Sequence, residues 1–280
     1  MYTLISKHIL DSFFGKLIGG GKMCRCTMHS DILGKDKNFM VYLPQDYESG
    51  TDSYPVLYLF HQAGGSCETW RETGRIKEIA DEAIRSGMVK PLIIVMPDGA
   101  GEGEYNLGKN LGFFSLPGYD YEKYFHEELI PLVDSTFRTV ADKTHRAVAG
   151  PSMGGEAAVA YAQKYSSFYG TAAAISGILG RPEQSRISNS DPEYGKALIA
   201  NNPALFVQNA SPDIVETLKT VRWYADCGDN DFFYQGNVDF FLAMRDKGIP
   251  MDFRMRGGVH SWFYWITGLT PVLVFFSASV

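Results

Sequence analysis

Along this chain the apolar positions follow two patterns, and the places where one gives way to the other mark the elements. Five short runs are nearly free of polar interruption: Pro55 to Phe60, Pro91 to Pro97, Arg146 to Ala149, Thr171 to Ser176 and Val221 to Ala225. Runs of this length bounded by turn residues read as strands buried on both faces, the condition of central strands in a parallel sheet. Between them the period lengthens. Residues 68–86 place Ile76, Ile79, Ala80, Ala83 and Ile84 on one side of a helix, residues 119–137 read as helical despite Pro131, and helices follow at Glu156 to Ala162 and at 232–246. A last strand is expected from Met251 to Met255. Residues 22–30 and 38–43 alternate or run apolar around Gly34-Lys35-Asp36-Lys37, which predicts an antiparallel hairpin at the sheet's edge. Strands alternating with helices predict one α/β domain over 1–280: a doubly wound, mostly parallel sheet with an antiparallel N-terminal hairpin.

Three stretches depart from these patterns. Asp98 to Gly118 holds six glycines and little periodicity, so a long surface loop is expected there, at the carboxyl end of a strand where α/β folds carry ligands. Residues 178–219 are rich in Asn, Pro and Ser with short helical pieces such as Tyr194 to Ala200, the character of a lid or cap inserted above a sheet. Ser261 to Val280 carries no charged residue and approaches the length of a membrane-spanning helix. Gly268, Thr270, Pro271 and Ser277 interrupt it, so a buried C-terminal helix is expected instead.

Composition narrows the partners. A chain of 280 residues that is 45% hydrophobic can bury a large core. A net charge of -6 without a run of Lys or Arg leaves no electrostatic footprint for nucleic acid or an anionic membrane, and directs attention to small or neutral ligands. Aromatic residues make up 14% of the chain, enough to line a site for an aromatic or sugar ligand, though packing in the core accounts for such a number equally well. Cys24, Cys26, Cys67 and Cys227 do not form a disulfide framework in a chain this long, and reduced thiols are expected. No second cysteine pair accompanies Cys24 and Cys26, so no metal site is expected. Met1 to Leu10 lacks the pattern of a secretory signal, which fits a cytoplasmic protein or a secreted one whose leader lies outside this chain.

The candidate chemistry centres on Gly150-Pro151-Ser152-Met153-Gly154-Gly155. This is G-x-S-x-G in the context that gives the pattern meaning, a strand leading in and a helix leading out. A serine hydroxyl becomes a nucleophile when a sharp turn lifts it from the backbone, a base takes its proton and donors hold the oxyanion it creates. Of the six histidines, only His260 follows a late strand in a Gly-rich turn, where the base of such an enzyme falls. For the acid that orients the base, position alone leaves Asp226, Asp229 and Asp231 open, since all three satisfy the chain order Ser, Asp, His. For the oxyanion, Met153 supplies one backbone N–H, and the loop His61-Gln62-Ala63-Gly64-Gly65 supplies a second from Gln62 or Ala63.

With these pieces placed, the chain resembles the esterase D-like group of α/β-hydrolases, which includes feruloyl and acetyl-xylan esterases, S-formylglutathione hydrolases and mycolyltransferases. The resemblance covers about residues 36 to 270. It is carried by Tyr54 to His61 with Gly64-Gly65, by Lys90 to Val95, by His145 to Gly150 with Ser152 to Gly155, by Cys227-Gly228 followed by Asp231, and by His260-Ser261-Trp262 with Tyr264-Trp265. It implies an α/β-hydrolase fold and selects Asp231 as the acid. It also implies Ala63 and Met153 as the oxyanion donors and a reaction that needs no cofactor. Pro151 stands where the group usually has Leu, Gln62 where it usually has Gly, and the final helix lacks its usual charges. Gln62 and Trp262 are therefore candidates for the substrate pocket. The resemblance implies a serine esterase with a small-molecule ester substrate, a feruloylated or acylated cell-wall sugar in first place and an S-formylglutathione hydrolase as the nearest alternative. A reading of another class, a hydrolase fold used only for binding, predicts a triad position that is lost or misplaced.

Overall fold

The computed structural model describes residues 4–10, 20–99, 112–181 and 192–280. The expected loop at 98–118 and the expected insertion at 178–219 lie partly outside the described residues. The strands are β1 (Leu4–Leu10), β2 (Lys22–Ser30), β3 (Lys35–Leu43), β4 (Val56–Leu59), β5 (Ile93–Pro97), β6 (Arg146–Pro151), β7 (Thr171–Ile175), β8 (Arg222–Gly228) and β9 (Met251–Arg256). They form one sheet in the order β1-β2-β3-β5-β4-β6-β7-β8-β9. From β5 to β9 every pairing is parallel, while β1, β2 and β3 add to β5 antiparallel. This is the α/β-hydrolase arrangement, with the hairpin where the sequence puts it.

The uninterrupted apolar runs have the cause assigned to them. In β4, Val56, Tyr58 and the following Phe60 enter one core, and Leu57 and Leu59 enter the other. Each face is covered by helices. The helices are α1 (Thr69–Glu72), α2 (Ile76–Arg85), α3 (Tyr121–Tyr124, Phe125–Leu129 and Ile130–Thr136 in one run), α4 (Met153–Lys164), α5 (Pro192–Ala200), α6 (Pro203–Gln208), α7 (Pro212–Leu218), α8 (Tyr234–Asp246) and α9 (Trp262–Ser277). The first core takes its helical side chains from α3 to α8, the second from α1, α2 and α9. Each large side chain buried this way contributes roughly 1.5–3 kcal/mol from surface removed from water. Among the described residues, no helix is long and apolar enough to cross a membrane.

Four local departures from the sequence expectations have physical reasons. The expected helix 68–86 is two helices, α1 and α2, because a Cβ at Gly74 would stand 2.3 Å from the Trp70 ring and Arg75 adopts φ 52°. The expected turn at 34–37 is tighter. Gly34, at φ 63°, closes it, and Lys35, Asp36 and Lys37 pair with Ser30, His29 and Met28. Three polar residues in a row imitate a turn, but His29 Nδ1 bonds Asp36 across the strands at 2.7 Å. Beyond the hairpin lies β1, so the outermost strand precedes the segment read as the edge. In α3 the chain widens to a π turn at Phe125–Leu129 just before Pro131, a local rewinding that accommodates a residue with no N–H.

Candidate active site

Ser152 sits between β6 and α4 at φ 52° and ψ -122°, a conformation costing a residue with a side chain roughly 1–3 kcal/mol. The surroundings enforce it. The Ser152 N–H donates to the Ile175 carbonyl at 3.0 Å, and its own carbonyl accepts from the N–H groups of Gly155 and Glu156. Strand and helix approach so closely that a Cβ on Gly150 would lie 2.5 Å from the Gly154 backbone, and one on Gly154 would lie 2.6 Å from the His61 carbonyl oxygen. Pro151 ends β6 opposite Ile175, in a position that asks no N–H of it.

His260 and Asp231 reach this serine from two neighbouring strands. The turns after β8 and β9 are stitched together: the Asn230 N–H donates to the Gly258 carbonyl at 3.0 Å, and the Gly258 N–H donates to Asp229 Oδ1 at 3.0 Å. Contact is so close that a Cβ on Gly228 would fall 2.5 Å from the Gly258 carbonyl oxygen. With the backbones fixed, His260 Nε2 lies 3.0 Å from Ser152 Oγ, and His260 Nδ1 lies 2.9 and 3.1 Å from the two carboxylate oxygens of Asp231. Asp231 is 1% exposed and also accepts the Phe233 N–H at 2.8 Å. A carboxylate accepts only, so the Nδ1 facing it carries the proton and the Nε2 lone pair faces the serine hydroxyl.

The other two carboxylates have different employment. Asp226 is fully buried against Arg256 Nε, at 2.8 and 3.1 Å, with the hydroxyls of Tyr264 and Tyr224 also donating to it. Asp229 is exposed, and the Gly258 N–H it accepts holds its carboxyl below the usual range.

The loop after β4 is governed by His61, which the residue-by-residue reading left without a role. His61 is 1% exposed; Gly99 N–H donates to its Nε2 at 3.0 Å, so its Nδ1 carries the proton and donates to the Gln62 carbonyl at 2.8 Å. Asp98 Oδ1, at 3.6 Å from the same Nε2, is beyond hydrogen-bonding distance. Because that carbonyl points to His61 and also accepts the Gly65 N–H, the Ala63 N–H on the same trans peptide points the opposite way. Among the described residues, neither the Ala63 nor the Met153 N–H donates to a protein acceptor. The Gln62 side chain folds back over its own loop, where a Cβ on Gly65 would meet its Oε1 at 2.9 Å, and that oxygen is buried with no partner among the described residues.

Trp262 meets Trp70 and Trp265 edge to face, each at 5.2 Å between centroids. Trp265, named in the sequence only as part of the family motif, is the indole against His260, at 4.9 Å. Phe232 and Phe233 complete the ring of aromatics around the imidazole at 4.4 and 5.2 Å. Among the described residues no group of three or more His, Cys, Asp or Glu side chains could hold a metal ion. The four cysteines are buried, and none of them forms a disulfide. A cavity of about 720 Å³ between Gly180, Asn202, Ala204 and Asp239 shares no residue with the Ser152 cluster.

Comparison with known proteins gives the family of the chain. The Esterase family model, described as "Putative esterase", matches residues 30–276. A solved structure of a ferulic acid esterase is 34% identical, with a TM-score of 0.87 over 93% of this chain and 99% of that one. An endo-1,4-beta-xylanase/feruloyl esterase of Xylanibacter ruminicola is 34% identical over 175 residues, 61% of this chain and 24% of that protein. An esterase of Mycobacterium tuberculosis is 30% identical over 261 residues, 82% of this chain and 54% of that protein. The chain thus spans about a quarter to a half of the length of these two relatives. A match running from the hairpin through the last helix, on a fold and elbow of this form, means that the chain belongs to the esterase family of α/β-hydrolases, in its esterase D-like group.

Proposed function

We propose that this chain is a serine carboxylic-ester hydrolase that works through an acyl-enzyme on hydroxycinnamoyl esters, above all feruloyl esters, of plant cell-wall sugars. The observation that carries the reaction class is the 3.0 Å contact between His260 Nε2 and Ser152 Oγ, with Asp231 on the opposite nitrogen. His260 takes the Ser152 proton as Oγ bonds to the ester carbonyl carbon, and the carbonyl π pair moves onto oxygen. That oxyanion accepts from the N–H groups of Ala63 and Met153, a contribution of about 10²–10³ in rate per donor. His260 then gives its proton to the alcohol oxygen as the C–O bond breaks. Water repeats the sequence on the acyl-serine, releasing the acid. Asp231 keeps the imidazole in the required tautomer and offsets the charge it acquires.

The substrate rests on likeness: the ferulic acid esterase structure and the xylanase/feruloyl esterase are each 34% identical to this chain. In the same reading the chain is a single domain, and the described residues that follow Ser176 cap the site, supported by the Ile178 N–H, which donates to the Ser152 carbonyl at 3.4 Å. Side-by-side assay of methyl ferulate, p-nitrophenyl acetate and S-formylglutathione tests the substrate. Ferulate turnover at the highest kcat/KM is expected, and fast thioester cleavage without ferulate turnover would overturn it. A fluorophosphonate should label the wild type at Ser152, and Ser152→Ala should abolish both labelling and turnover. Folded wild type left unlabelled would point to a binding module.

A further inference from the structure

Three aromatic rings surround His260, and they are not equivalent. Phe233 and Trp265 are 3% and 5% exposed and serve as packing, whereas Phe232 is 56% exposed. Its ring lies 4.4 Å from the imidazole at an interplanar angle of 43°, nearer than the other two. The exposure is not isolated. Val259, just before His260, is 54% exposed, and Phe263, three residues after it, is 81% exposed. A single exposed apolar side chain needs no explanation, but a phenyl ring held against the imidazole that faces the nucleophile sits where one part of a substrate must pass.

Which part follows from the chemistry. The amides at 63 and 153 take the carbonyl oxygen, and His260 Nε2 must come within hydrogen-bonding reach of the alcohol oxygen to protonate it as it leaves. The alcohol moiety therefore lies on the imidazole side of the elbow, beside Phe232. An uncharged ring presented to solvent suits the C–H face of a neutral sugar and offers a methyl or ethyl alcohol almost nothing. We infer that Phe232 is a specificity-determining platform for the alcohol half of the ester, on which the sugar bearing the scissile oxygen stacks. This inference rests on the hydrolase reading above but not on the identity of the acyl group.

The test uses two ester pairs, each sharing an acyl group: feruloylated arabinofuranose against methyl ferulate, and an acetylated xylopyranoside against ethyl acetate. Phe232→Ala should lower the preference of kcat/KM for the sugar ester by about tenfold, mainly through KM, and leave the simple ester within about twofold. Phe232→Tyr, which keeps the ring, should retain the preference. Equal losses on both members of a pair would mean that the ring only props His260, and no loss on either would mean that it does nothing for the substrate; either result overturns the inference. Should the wild type ignore both ferulates, the feruloyl assignment fails while the acetyl pair still decides the platform. Should it hydrolyse none of the four esters and resist fluorophosphonate, the hydrolase reading falls and takes the platform with it.

Discussion

Asp226 and Asp231 stand five residues apart at the end of β8, both buried, and their neighbourhoods prepare them for different work. Asp226 faces Arg256 and two tyrosine hydroxyls. A guanidinium stays charged at every pH the protein survives, so this carboxylate is compensated permanently and ties β8 to β9 and α9. Asp231 faces an imidazole and a backbone N–H. An imidazole can take up and release a proton, so in the proposed mechanism the compensation that Asp231 supplies is called on when His260 holds the Ser152 proton. Burial is common to the two sites. What separates a structural carboxylate from one suited to catalysis is whether its partner can change charge.

Substitution can break that contrast. Asp231→Ala should lower kcat/KM for p-nitrophenyl acetate by about 10³–10⁴, with only a small fall in the thermal midpoint, because His260 loses its tautomer and orientation while the fold loses little. A loss under tenfold would remove Asp231 from the mechanism. Asp226→Asn should do the reverse. It leaves a one-third-exposed guanidinium without its counter-charge, so a stability loss of about 2–3 kcal/mol, visible as several degrees in the melting midpoint, should accompany less than about a fivefold change in kcat/KM. A collapse of activity at unchanged stability would erase the distinction. Asp229→Ala gives the smallest effect, within about threefold in kcat/KM, since an exposed carboxylate there only steadies the Gly258 N–H. Its lowered pKa gives the sign: the steadying is present above the ordinary carboxylate range and is lost as pH falls through the lowered value. The thermal midpoints of wild type and Asp229→Ala should therefore converge in acid, and a gap that widened there would contradict the hydrogen bond to Gly258.

The same contrast explains what could be read from the residues alone. Strands apolar on both faces announce a parallel sheet because burial acts on every residue of the run, so β4 to β8 were legible to within a few positions. The carboxylate that meets His260 was not legible from position. Three carboxylates fall in the six residues from Asp226 to Asp231, and the groups that sort them, Arg256, Gly258 and His260, come from a segment about thirty residues further on. Only the resemblance, through Cys227-Gly228, singled out Asp231, the carboxylate that meets His260. The break between α1 and α2 was hidden for a similar reason, since it depends on where the Trp70 ring packs. His61 carried a signal, a histidine at the end of a buried strand before a Gly-rich loop, but its hydrogen bond from Gly99 could not be inferred from the sequence.

That hydrogen bond reaches further than its two residues. The imidazole at 61 receives one backbone amide from the chain just after β5 and passes its own proton to the carbonyl that fixes which way the next amide faces. A peptide plane in the loop after β4 is thereby steered from the exit of a neighbouring strand. Under the proposed mechanism, a substitution at Gly99 would thus retune how firmly the nascent negative charge is gripped without altering any group that meets the substrate.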